Sequence, residues 1–176
     1  MKKVLFLIAF ASVLSTASFA QTANLNITLS DVLSFTVTQP AALDVNFDTE
    51  AKYNNGITSL ATDHISVISS RGYVVKAIAG TVTGTAALAP GSVKLSSAIG
   101  ASNNGNTSGI TYGSAVTLPA SSGSAATVIT ATNSSWSGAN STNKFNISYL
   151  IGAGGTYAGK ATGLNVIPVV YTVTQP

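Results

Sequence analysis

Thr22-Ala23-Asn24-Leu25-Asn26-Ile27-Thr28-Leu29-Ser30 alternates polar and apolar residues without a fault. On an extended chain Ala23, Leu25, Ile27 and Leu29 fall on one side and the Thr, Asn and Ser residues on the other. That is the period of a half-buried strand. The same signal recurs along the chain. Residues 32–39 put Leu33, Phe35 and Val37 inward and stop at Pro40. Residues 42–47 read as a third strand. Residues 64–69 and 73–79 read as a hairpin joined at Ser70-Arg71-Gly72. Short strands follow at 93–95, 116–118, 126–131 and 145–151, and the last at 164–174 is the most hydrophobic. Asn54-Asn55-Gly56, Asn103-Asn104-Gly105-Asn106 and Gly152-Ala153-Gly154-Gly155 mark turns and loops. No segment beyond residue 20 holds a 3.6-residue period. About nine or ten short strands with turn signals between them predict an all-β fold, an antiparallel β-sandwich, immunoglobulin-like in broad form. A closed barrel is the alternative.

The first twenty residues read differently. Lys2 and Lys3 precede an apolar run at 4–14, and Ser18-Phe19-Ala20 offers small residues where a signal peptidase cuts. Residues 1–20 are therefore expected to be a secretory signal peptide, and residues 21–176 a single domain, secreted to the exterior or outer surface of a bacterium. The chain has no cysteine. A disulfide framework is excluded and the core must suffice. No second apolar run is long enough to span a bilayer, so no stable membrane insertion is expected once the signal is gone.

The formal charge is +3, and two of the eight basic residues are Lys2 and Lys3. The remainder is close to neutral, which argues against nucleic acid as a partner. Ser, Thr, Asn and Gly supply the polarity instead of charge. Such a surface resists association only weakly. Every acid (Asp31, Asp44, Asp48, Glu50, Asp63) lies at or before position 63. Folding either mixes these with the later bases or leaves a weak dipole.

Catalytic chemistry is thinly represented. His64 is the only histidine. Its neighbour Asp63 would point to the opposite face of a strand, so the two cannot form a relay. His64 is expected at the surface or at a strand end. Zinc ligands are lacking. Asp44, Asp48 and Glu50 permit a calcium site on paper, but a solvated acidic loop is the commoner use. No catalytic residue, metal or cofactor is assigned. Trp136 lies in the polar run Asn133-Ser134-Ser135-Trp136-Ser137-Gly138. With Tyr53, Tyr112 and Tyr157 it forms the candidate platform for stacking a glycan.

The two ends carry a further pattern. Phe35-Thr36-Val37-Thr38-Gln39-Pro40 is echoed by Tyr171-Thr172-Val173-Thr174-Gln175-Pro176. Either two equivalent edge positions or chance in a chain rich in Thr and Val explains it. The last strand is apolar on both faces, with Ile167, Val169, Tyr171 and Val173 opposite Leu164, Val166 and Val170. Such a strand sits centrally or meets another subunit, whereas Pro168 argues that part of it is an edge.

In these end strands the chain resembles bacterial fimbrial subunits, the pilin-like sandwiches. The resemblance implies that the alternating segment with Ala23, Leu25, Ile27 and Leu29 would complete the fold of the next subunit. It also implies that Gly163, followed by Ile167, Val169, Tyr171 and Val173, would form a C-terminal interface strand. Gln175 stands where that family has a penultimate aromatic, and the family's common disulfide is absent. Residues 47–56 and 67–76 also look like secreted surface proteins of gliding and gut bacteria. Two functions fit these features. One is a non-enzymatic, exported structural or adhesive surface protein whose partners are itself or other surface proteins. The other is a carbohydrate-binding module that uses Trp136 and exposed tyrosines to hold a glycan.

Overall fold

Burial alternates along the long strands: from Tyr73 to Ala79 every odd residue is buried and every even one is half-buried or exposed. The computed structural model describes residues 25–38 and 43–176. The chain divides into two units, residues 1–30 and 31–176. Of the first unit, residues 25–30 are described. They form no strand, and Leu25, Ile27 and Leu29 are 81%, 70% and 90% exposed. The expectation of a strand at 22–30 is thus not met at those positions, and Ala23 lies outside the described residues. Alternation records a face that wants burial; a strand also needs a ladder partner.

The second unit carries the sheets. Its elements are β1 (Leu33–Val37), α1 (Glu50–Asn55), β2 (Ile57–Ser69), β3 (Tyr73–Ala79), β4 (Thr83–Gly84), a 3₁₀ turn (Pro90–Ser92), β5 (Val93–Ile99), β6 (Ile110–Tyr112), β7 (Val116–Thr117), β8 (Ala126–Ala131), β9 (Asn143–Ile151), β10 (Asn165–Val166) and β11 (Val169–Thr174). One sheet runs β1-β2-β9-β5-β7, the other β11-β3-β8-β6, with a small β10-β4 pair beside them. All of these pairings are antiparallel. The fold is all-β and sandwich-like. Its core joins Ile65 and Val67 of β2, Phe145 and Ile147 of β9 and Leu95 of β5 to Tyr73, Val75, Val128 and Ile129 of the facing sheet.

Several local expectations change. Strands β2 and β3 belong to different sheets, so Ser70-Arg71-Gly72 is a crossover between layers and not a hairpin turn. A tight turn sequence fixes the reversal of the chain, but not whether the strands it joins pair or pack. Residues 43–47 form no strand. Residues 50–55, read as part of a polar turn, form one short helix. Thr49 caps it by accepting from Lys52 N, Lys52 reaches back to Asp48 at 2.6 Å, and Gly56 ends it at φ 75°. The last strand is split at Pro168, whose carbonyl accepts from Gly80 N at 2.9 Å. Among the described residues no helix is long and apolar enough to cross a membrane.

Candidate functional site

The site is a seam where two edge strands from opposite sheets face each other. β1 closes one end of its sheet and β11 one end of the other. These are the two segments that carry the echoed sequence. Antiparallel neighbours alternate between hydrogen-bonded and non-bonded pairs. Thr38 N donates to His64 O and Ser70 N to Val32 O, so the even residues of β1 bond to β2. The amides and carbonyls of Leu33, Phe35 and Val37 therefore turn to the open edge. Likewise Gly80 N donates to Pro168 O, so Val170, Thr172 and Thr174 bond to β3. Val169, Tyr171 and Val173 present their backbone groups to the other open edge. The side chains of Phe35, Val169, Tyr171 and Val173 stay half-buried against the core.

One end of the seam is sealed. Gln175 Nε2 donates to Val32 O at 2.9 Å and to Ser69 Oγ at 2.8 Å. Arg71 bridges Asp31 at 3.0 Å and Pro176 O at 3.2 Å. This pairing of an early acid with a late base shows folding mixing charges that the sequence segregates. The other end opens into a cleft of about 420 Å³, lined among others by Leu43, Phe47, Tyr149, Tyr157, Ile167 and Val169. Phe47 packs against Tyr53 at 5.4 Å and edge-on against Tyr157 at 5.1 Å.

His64 lies within β2, level with Thr38 just beyond β1, and is 2% exposed, not at the surface or a strand end. The cause is a bulge in β2. The register to β9 shifts between Ala61 and Ile65, with Asp63 at φ 47°. An extra length of chain re-aims side chains, so both His64 and Ile65 are buried. Asp63 N donates to Asn146 Oδ1 at 2.8 Å, and the Asp63 carboxylate accepts from Ser102 N at 3.4 Å. Both imidazole nitrogens are engaged elsewhere. Nδ1 meets Thr38 O at 2.5 Å and Nε2 meets Tyr149 Oη at 2.9 Å. Tyr149 Oη in turn meets Tyr171 Oη at 2.7 Å. In the sequence the polar triplet Thr62-Asp63-His64 marks the place.

Because a carbonyl can only accept, Nδ1 carries the proton and Nε2 accepts from Tyr149. The Tyr149 hydroxyl is thereby spent, so its oxygen accepts from Tyr171. Donation runs in one direction, Tyr171 to Tyr149 to His64 to Thr38. Burial lowers the His64 pKa below its usual 6.5, partly opposed by the Thr38 carbonyl. Burial pushes Tyr149 up to about 12. It raises Tyr171 further, reinforced by the neighbouring Tyr149 hydroxyl.

The other sequence candidates are dispersed. Gly163 precedes β10 at φ 135°, and a Cβ there would lie 2.6 Å from Thr85 Oγ1. Ile167, Val169, Tyr171 and Val173 share the half-buried side of the last strand, while Leu164, Val166 and Val170 are 81%, 45% and 46% exposed. The strand is an edge, not central. Trp136 is half-exposed on a loop pinned by Ser69 N to Ser135 Oγ at 2.8 Å. Tyr157 is buried and, with Tyr53, is turned into the Phe47 cluster. Tyr112 lies edge-on to Phe145. Of the residues expected to form a platform, Tyr53 and Tyr157 pack on Phe47, whereas Trp136 and Tyr112 stay exposed. Among the described residues no three His, Asp or Glu side chains are gathered to hold a metal; Asp48 is held by Lys52. No protein-family model matches this chain, and no curated protein matches it.

Proposed function

We propose that this chain is an exported, non-enzymatic structural component of a bacterial surface that self-associates by strand addition. In this reading the alternating segment of one copy, with Ala23, Leu25, Ile27 and Leu29, enters beside β11 of another. The observation that carries the reading is the open edge of β11. Among the described residues no strand pairs with the outward backbone groups of Val169, Tyr171 and Val173, which lie above half-buried side chains. A sheet edge of this kind is a template for a further strand. The exposed alternating residues Leu25, Ile27 and Leu29 supply a matching donor. The signal-like residues 1–20 support export.

Size-exclusion chromatography with light scattering and negative-stain microscopy on residues 21–176 test it. Ladders or filaments are expected, lost on deletion of residues 22–30 and competed by a synthetic 22–30 peptide. A monomer at every concentration would overturn the reading. The second reading, glycan binding, is favoured by one observation, the half-exposed indole of Trp136 on a loop fixed to the sandwich. Under it, Trp136→Ala abolishes retention on a glycan array and leaves assembly intact.

A further inference from the structure

We infer that His64 closes an acid-sensitive latch across the seam, holding β1 and β11 to the central strands while neutral and releasing them when protonated. The latch is intramolecular and goes beyond the assembly reading; only its bearing on strand entry rests on that reading.

In the neutral state each hydrogen bond from Tyr171 through Tyr149 and His64 to Thr38 joins a donor to an acceptor. Thr38 O accepts from Nδ1, Nε2 accepts from Tyr149, and Tyr149 accepts from Tyr171. Both outer members sit at the strands that bound the seam, Thr38 just beyond β1 and Tyr171 within β11. A proton can add only at Nε2. The new N–H must then donate to Tyr149 Oη, and the Tyr149 hydroxyl must swing round to donate to Tyr171. The Tyr171 hydroxyl loses its acceptor, at a position packed against the core.

Among the described residues no carboxylate is hydrogen-bonded to His64. The groups facing His64 are Tyr149 from β9, Tyr171 from β11 and the Thr38 carbonyl from the end of β1. Both tyrosines are neutral far above physiological pH. On its own strand Asp63 is turned to Ser102. A buried imidazolium without a carboxylate is resolved by admitting water. The elements to yield are the edge strands, each held by one ladder only.

The sign follows from linkage. The His64 pKa is lowered in the folded state. Above about pH 6.5 both states are neutral and the latch is at full strength. As pH falls from there to the depressed folded value, only the opened state takes the proton, and closure weakens. Below the folded value no further loss arises from this group.

Hydrogen-exchange mass spectrometry on the purified protein, corrected for intrinsic rates, reads this between about pH 7.5 and about pH 4.5. Protection in the peptides covering 32–38 and 169–174 is expected to fall by about tenfold per pH unit inside the window, while β8 stays protected. His64→Gln should remove the pH step. Tyr171→Phe gives a second arm: residues 169–174 should exchange faster already at neutral pH, and the step there should flatten, while 32–38 retains it. A step unchanged in both variants, or no step in the wild type, overturns the latch. Light scattering on the same samples separates the two ideas. A step in a chain that never assembles retains the latch and removes the assembly reading. Assembly without a step does the reverse.

Discussion

Gly163 and Asn143 show how single residues hold this fold. Any side chain at Gly163 meets both a positive φ and Thr85 Oγ1 at 2.6 Å. Gly163→Ala is expected to cost about 1–3 kcal/mol, read as a lowered urea midpoint. Asn143 is fully buried, and its Nδ2 donates to Tyr73 Oη at 2.6 Å while its Oδ1 has no partner among the described residues. Tyr73→Phe removes that acceptor and leaves the whole amide unpaired in the core. Equilibrium unfolding should register a loss of about 1–3 kcal/mol. Gly105 is tied to the same place, since a Cβ there would overlap Asn143 Oδ1. Trp136 contrasts with both. It is half-exposed, so Trp136→Ala should leave the melt within about 0.5 kcal/mol of wild type, whatever it does to a glycan.

At the scale of elements, β11 has two different sides to its backbone, and proline substitution distinguishes them. Thr172 N points at β3, so Thr172→Pro removes a ladder bond and should destabilise by more than ~2 kcal/mol in chemical denaturation. Val173 N points at the open edge. Val173→Pro should cost less than Thr172→Pro, yet block strand addition in the light-scattering assay. If the two variants unfold equally easily, Val173 N does not face an open edge. The echoed segments gain a physical meaning at this scale. Phe35 and Val37 on β1, like Tyr171 and Val173 on β11, turn half-buried side chains inward and backbone groups outward. Thr36, Thr172 and Thr174 take the exposed side. The repetition corresponds to two edge positions of the sandwich.

For the whole molecule, the division at residue 30 decides what truncation does. Every described strand lies in 31–176. A chain lacking residues 22–30 should therefore keep its far-ultraviolet circular dichroism and melt cooperatively, close to the parent temperature. Collapse of that variant to an unfolded chain would show the segment to be part of the sandwich itself. This outcome is distinct from any effect on assembly, because it concerns the isolated subunit.

The amino-acid order by itself determined the β-rich class, the inward faces of the long strands and the position of most of them. Period-two hydropathy is local and survives without knowledge of neighbours, as residues 145–149 show. Partnership is not local. Only the tertiary structure decided that β2 and β3 part into different sheets, that the last apolar strand is an edge, and that residues 25–30 stand outside any ladder. The His64 site was the least legible of all. A bulge in one strand turned the ring inward, and its partners Tyr149 and Tyr171 lie 85 and 107 residues further along the chain. Chain distance carries no trace of such contacts, because packing, not sequence spacing, brings those hydroxyls together.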